Sequence, residues 1–127
     1  MYAQIFRQLD KVQEAAAKLG CAVVLPEDNQ LLLDLDTEEQ YRHFIRFFVE
    51  MQNLQHSGAT WTGWPSRSGV GKHVVVTIPG KEFSHEERVA YEVMLGSDPK
   101  RAAYGMLRVL AGDNSPGVLF KPIKEAA

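Results

Sequence analysis

Apolar residues recur along this chain with two alternating periods, and the switches between them mark its elements. From Tyr2 to Leu19, Ile5, Leu9, Val12, Ala16 and Leu19 share one helical face, and Gly20 supplies a stop. Cys21 to Leu25 reads as a strand, Pro26 to Asn29 as a turn and Gln30 to Asp36 as a second strand, so a hairpin is expected. Thr37 with Gln40 fits a capping box for a helix reaching about Leu54, whose stripe is Tyr41, Phe44, Ile45, Phe48, Met51 and Leu54. A short strand over Ala59 to Trp64, a Ser/Gly loop and a strand over His73 to Ile78 follow.

Ser84 with Glu87 makes a second capping box, for a helix ending near Gly96. Asp98-Pro99 restarts the helix, which carries Ala102, Met106, Leu107 and Leu110. Gly112 to Gly117 reads as a loop and Val118 to Phe120 as a last strand. With the first helix and strand set aside as an N-terminal extension, the order is β-α-β-β-α(α)-β. That is the α+β split βαβ, or ferredoxin-like, pattern, with the first and third strands adjacent at the sheet centre. One competition is built in, because a hairpin partner for the Gln30–Asp36 strand would occupy the edge where the last strand pairs.

At 127 residues and 45% hydrophobic content, the chain fits one domain over 1–127, with its core in 30–121. A formal charge of −2 argues against a protein whose main task is coating nucleic acid, though a local basic patch is compatible with it. Cys21, the single cysteine, reads as a small core residue of a cytoplasmic protein. No segment has the pattern of a signal peptide or the length of a membrane span, so no membrane partner is expected.

The chemistry concentrates in two stretches. Leu31-Leu32-Leu33-Asp34-Leu35-Asp36 ends an apolar strand in two carboxylates of equal parity, opposite in direction to Leu31, Leu33 and Leu35. Ser66-Arg67-Ser68-Gly69-Val70-Gly71-Lys72-His73 delivers an imidazole onto a strand where His73, Val75 and Thr77 share a face. If the strands are neighbours, an open face shows two carboxylates beside a histidine, which suits a divalent cation and a phosphate. Gly69 and Gly71 would let backbone amides close on an anion. Plainer readings stand beside these. Asp36 could cap the following helix, Asp98 reads as a cap before Pro99, and His73 could simply face solvent. The Asp98 cap also lies beside Lys100 and Arg101, where a phosphate contact is conceivable. His43, His56 and His85 lack metal-ligand spacing and read as surface residues. Trp61 reads as core, and Trp64 as packing its loop or stacking a base.

These two stretches resemble the archaeo-eukaryotic primase superfamily of primase-polymerases. Leu32-Leu33-Asp34-Leu35-Asp36 is similar to its Asp-x-Asp strand, and Ser68 to His73 followed by Val74 to its Ser-x-His element. The resemblance spans about Leu31 to Ile78 and implies an RRM-like core. It implies that Asp34 and Asp36 hold Mg²⁺ or Mn²⁺, and that Asp34, Asp36 and His73 are the catalytic set of a nucleotidyltransferase if the chain is active. It further implies that His73, with Arg67, Ser68, Gly69, Gly71 and Lys72, binds nucleotide. The third acidic motif of that family is not evident, so a minimal or degenerate member is expected, an accessory replication protein of phage or plasmid type binding nucleotide or nucleic acid. The alternative is a non-catalytic ferredoxin-like module that binds a protein partner in a replication or defence complex.

Overall fold

The computed structural model describes residues 11–66, 69–113 and 117–123. A helix (α1) covers 11–18 of these, followed by β1 (Cys21–Val24), β2 (Gln30–Leu35), α2 (Glu38–Leu54), β3 (Thr60–Pro65), β4 (Lys72–Thr77), α3 (His85–Met94), α4 (Pro99–Leu110) and β5 (Leu119–Pro122). The fold is α+β, with two small antiparallel sheets. Ile5 and Leu9 of the expected first helix lie outside the described residues.

The larger sheet has the order β2-β4-β3, with both neighbours antiparallel to β4. β2 and β3 therefore run parallel on either side of β4, joined by α2. The expected hairpin between Cys21–Leu25 and Gln30–Asp36 does not form: β1 pairs with β5 instead, as a separate two-stranded ribbon. The turn residues Pro26 to Asn29 permit a change of direction but do not choose the partner strand. The competition for the β2 edge thus ends with neither strand on it.

That edge is sealed by groups from α3 and its junction with α4. Arg88 Nε donates to the Gln30 carbonyl, and the Asp34 N–H donates to Ser97 Oγ at 3.1 Å. The Leu32 N–H bonds the Glu92 carboxyl group, and the Asp98 N–H donates to the Asp34 carbonyl at 2.7 Å. An edge strand must satisfy such groups or leave them open to another chain.

The main core lies between the sheet and the helices. Leu31, Leu33 and Leu35 of β2 and Val74 and Val76 of β4 meet Phe44, Phe48 and Met51 of α2, with Phe83 and Leu95 closing the sides. Thr37 caps α2 through Oγ1, and Ser84 with Glu87 completes a reciprocal capping box on α3. The sheet's second face is not open as expected. The ribbon covers it, packing Leu119 and Val24 against Leu32, Val75 and Trp64. Cys21 is buried at the start of the ribbon. Leu54, expected in the α2 stripe, is 78% exposed because it lies in the last turn, past the sheet.

Candidate functional site

Antiparallel register sets Asp34 directly opposite His73, and Trp64 on the other flank of His73. All three project toward the ribbon. The Phe120 carbonyl of β5 accepts from Trp64 Nε1 at 3.0 Å and lies 3.1 Å from His73 Nδ1. A carbonyl only accepts, so the imidazole carries its hydrogen on Nδ1. Nε2 then faces Asp34 Oδ1 at 3.5 Å, longer than a good hydrogen bond. That approach is favourable only with a proton between the two groups, on one or the other. Nδ1 is thereby engaged, and Nε2 is directed at Asp34.

Asp34 is half-buried, and its Oδ1 is enclosed without a hydrogen-bond partner. Burial pushes its carboxyl above the ordinary value, and the adjacent Asp36 carboxylate pushes the same way, while His73 and Arg101 pull it back. Asp36 is exposed just past the end of β2. The cap of α2 is Thr37 rather than Asp36, whose N–H donates to Gln40 Oε1 at 2.6 Å. The two carboxyl groups therefore do lie together, but Asp34 is roofed by the ribbon and not on a solvated face.

The loop between β3 and β4 is closed on itself. Gly69 N–H donates to the Ser66 carbonyl and Gly71 N–H to Ser66 Oγ, so neither amide is left to cradle an anion. Gly71 is needed because the loop turns back against β2: a Cβ there would stand 2.5 Å from the Leu35 carbonyl oxygen. Lys72 follows strand parity onto the helix side, where its Nζ sits 3.8 Å from the Tyr41 ring centroid. It does not join His73. Arg67 and Ser68 lie outside the described residues.

Two further charged groups belong to this region: Arg101, which the sequence offered only as a phosphate contact beside the Asp98 cap, and Glu92, which it did not offer. Arg101, from the first turn of α4, lines a cavity of about 300 Å³ together with Asp34, His73, Cys21 and Phe120. Glu92 is buried, and burial pushes its carboxyl up to about 7 against the pull of Arg101 and Arg88. A signal for Glu92 was present: it stands three residues from Val89, on the core-facing side of an amphipathic helix, where an unpaired acid is rare. Asp98 caps α4, accepting from the Arg101 N–H. Of the remaining histidines, His43 bonds the Met94 carbonyl and His56 the Tyr91 hydroxyl, while both ring nitrogens of His85 are enclosed.

Among the described residues, no group of three or more His, Cys, Asp or Glu side chains is placed to hold a metal ion. The Asp34–Asp36 pair could supply two oxygen ligands to an ion completed by phosphate and water. No described helix is long and apolar enough to cross a membrane. Comparison of the chain with protein-family models, with curated proteins and with solved structures found no match.

Proposed function

We propose that this chain is a nucleotide- or nucleic-acid-binding domain of the primase-polymerase-like kind, on an RRM-like or ferredoxin-like variant, serving replication in a phage or plasmid setting. The observation that carries the reading is the crowding of two carboxyl groups at the end of β2. Asp34 has a buried oxygen without a partner and is pushed toward protonation by burial and by Asp36. A divalent cation relieves both penalties, which is a fit between these residues and Mg²⁺ or Mn²⁺. When bound, the ion would supply neutralisation of phosphate charge. His73 acts through Asp34, holding the carboxyl group from the β4 side while Phe120 fixes the ring. The order β2-β4-β3 with α2 crossing between β2 and β3 supports the fold assignment; the displaced β5 makes it a variant.

Nucleotidyl transfer is the activity this reading implies if the chain turns over, and weak or no templated synthesis is expected because the family's third acidic motif is not evident. Calorimetry with a nucleoside triphosphate, in Mn²⁺, in Mg²⁺ and in EDTA, tests the reading. Metal-dependent binding that Asp34→Ala weakens supports it. No binding at millimolar nucleotide with metal present overturns it.

The second reading, a protein-interaction module, has its own observation. Ala103, Met106, Leu107 and Leu110 form an exposed stripe at helical spacing on α4, with Tyr104 beside it. That helix packs through Ala102 and Gly105 instead.

A further inference from the structure

On the outer side of Arg101 lies a second cavity, of about 370 Å³, whose charged lining is Lys100, Arg101 and Arg108 against the single carboxylate of Asp98. Asp98 is already committed, accepting from the Arg101 N–H as the cap of α4. Lys100, Arg101, Tyr104 and Arg108 fall within one side of that helix, so two guanidinium groups and an ammonium converge from consecutive turns. Arg101 Nη1 donates to the Val118 carbonyl at 2.9 Å. Its Nε and Nη2, and Nε of Arg108, are enclosed and donate to no acceptor. Glu92, Asp34 and Asp98 act on Arg101 electrostatically, and His85, which senses Arg108, also senses Arg88 and the carboxylates of Asp113 and Glu86. Among the described residues neither guanidinium forms an ion pair.

The facing wall is Gly117. A Cβ at that position would stand 2.8 Å from Arg101 Nη2 and 3.4 Å from Arg108 Nη2. The backbone therefore passes close to both groups without a side chain between them. Planar guanidinium forks match the oxygens of a phosphate, and buried donors without acceptors are costly to leave so.

We propose that Arg101, Arg108 and Lys100 form an oxyanion site that takes a phosphate group, distinct from the Asp34–Asp36 carboxylate pair and independent of metal. The volume accommodates a diphosphate, free or carried by a nucleotide.

The test is calorimetric titration of the full chain with inorganic pyrophosphate and with a nucleoside diphosphate, both in EDTA. Binding of pyrophosphate is expected, and Arg108→Gln and Lys100→Gln should each weaken it roughly tenfold with the melting transition retained. Tighter binding of the nucleoside diphosphate assigns the phosphate to a nucleotide, and equal binding to a free anion; either supports the site. Asp34→Ala, which should weaken metal-dependent nucleotide binding, should leave pyrophosphate binding in EDTA equal or tighter by removing a nearby negative charge. No binding at millimolar pyrophosphate overturns the proposal. So does binding that both cation variants leave unchanged, or binding that Asp34→Ala removes.

Discussion

The two faces of the β2-β4-β3 sheet are built on different terms. Toward the helices, the central paired rows are aliphatic, Leu31 beside Val76 and Leu33 beside Val74 under Phe44, Phe48 and Met51, with Leu35 beside Lys72 at the end. Toward the ribbon, polar and apolar rows alternate: Gln30 beside Thr77, Leu32 beside Val75, then Asp34 beside His73. The first face needs only volume and shape. The second needs hydrogen-bond partners: Gln30 and Thr77 supply one another, while His73 and Trp64 find theirs in the two-stranded ribbon. The contrast separates what holds the domain together from what arranges its chemistry.

The largest expected effect belongs to the dry face. Phe44 is fully buried, and Phe44→Ala should lower unfolding free energy by about 3–5 kcal/mol in a denaturant titration. A loss under ~1 kcal/mol would mean that the helix side is not the dominant core.

Glu92 ranks next, because its cost depends on pH. Its folded carboxyl titrates at about 7 against an ordinary 4.5. Between those values the folded chain keeps a proton that the unfolded chain has released, so stability falls as pH rises through this window and levels above it. Glu92→Gln keeps an acceptor for the Leu32 N–H and removes the charge. It should flatten the profile and raise stability at pH 8 by up to ~3 kcal/mol. A variant that still loses stability with the parent slope would place the titration elsewhere; Asp34, also pushed up, contributes with the same sign from lower pH.

Leu119→Ala should cost about 2–3 kcal/mol, since the residue is buried in the small cluster under the ribbon. Amide exchange should speed up in β1 and β5 far more than in β4. Equal acceleration across both sheets would erase the distinction between the faces. The smallest effect is expected from Trp64→Phe, which keeps an aromatic ring of smaller size and removes the indole donor to the Phe120 carbonyl, for about 1 kcal/mol.

The elements themselves were readable from period and capping: Thr37, Ser84 and Asp98 each cap the helix their position announced. The face-sharing of Asp34 and His73 followed from strand parity once the two strands were neighbours. Pairing was another matter. Nothing in Cys21 to Val24 distinguishes β5 from β2 as a partner, because short apolar strands carry a face but no address. The roof over Asp34 was hidden for the same reason. Arg101 was legible only as a cation beside the Asp98 cap, and Glu92 not at all, because their closeness to Asp34 depends on how the α3–α4 junction meets β2, a long-range contact. In Met106, Leu107 and Leu110 the apolar period is real, yet these side chains point outward, since Ala102 and Gly105 make the closer helix contact.

The sealed edge of β2 has a consequence for alignment. Arg88 and Glu92 are four residues apart on α3, about 6 Å of helix rise, and they meet Gln30 and Leu32, two residues and about 6.6 Å apart on a strand. Ser97 continues the progression to Asp34. Helix and strand thus act as the two scales of a vernier, with marks that coincide at one setting. A slip of β2 by a single residue would misalign every mark and turn its leucines to the wrong side. The helix therefore measures the strand, and that measurement holds Asp34 opposite His73.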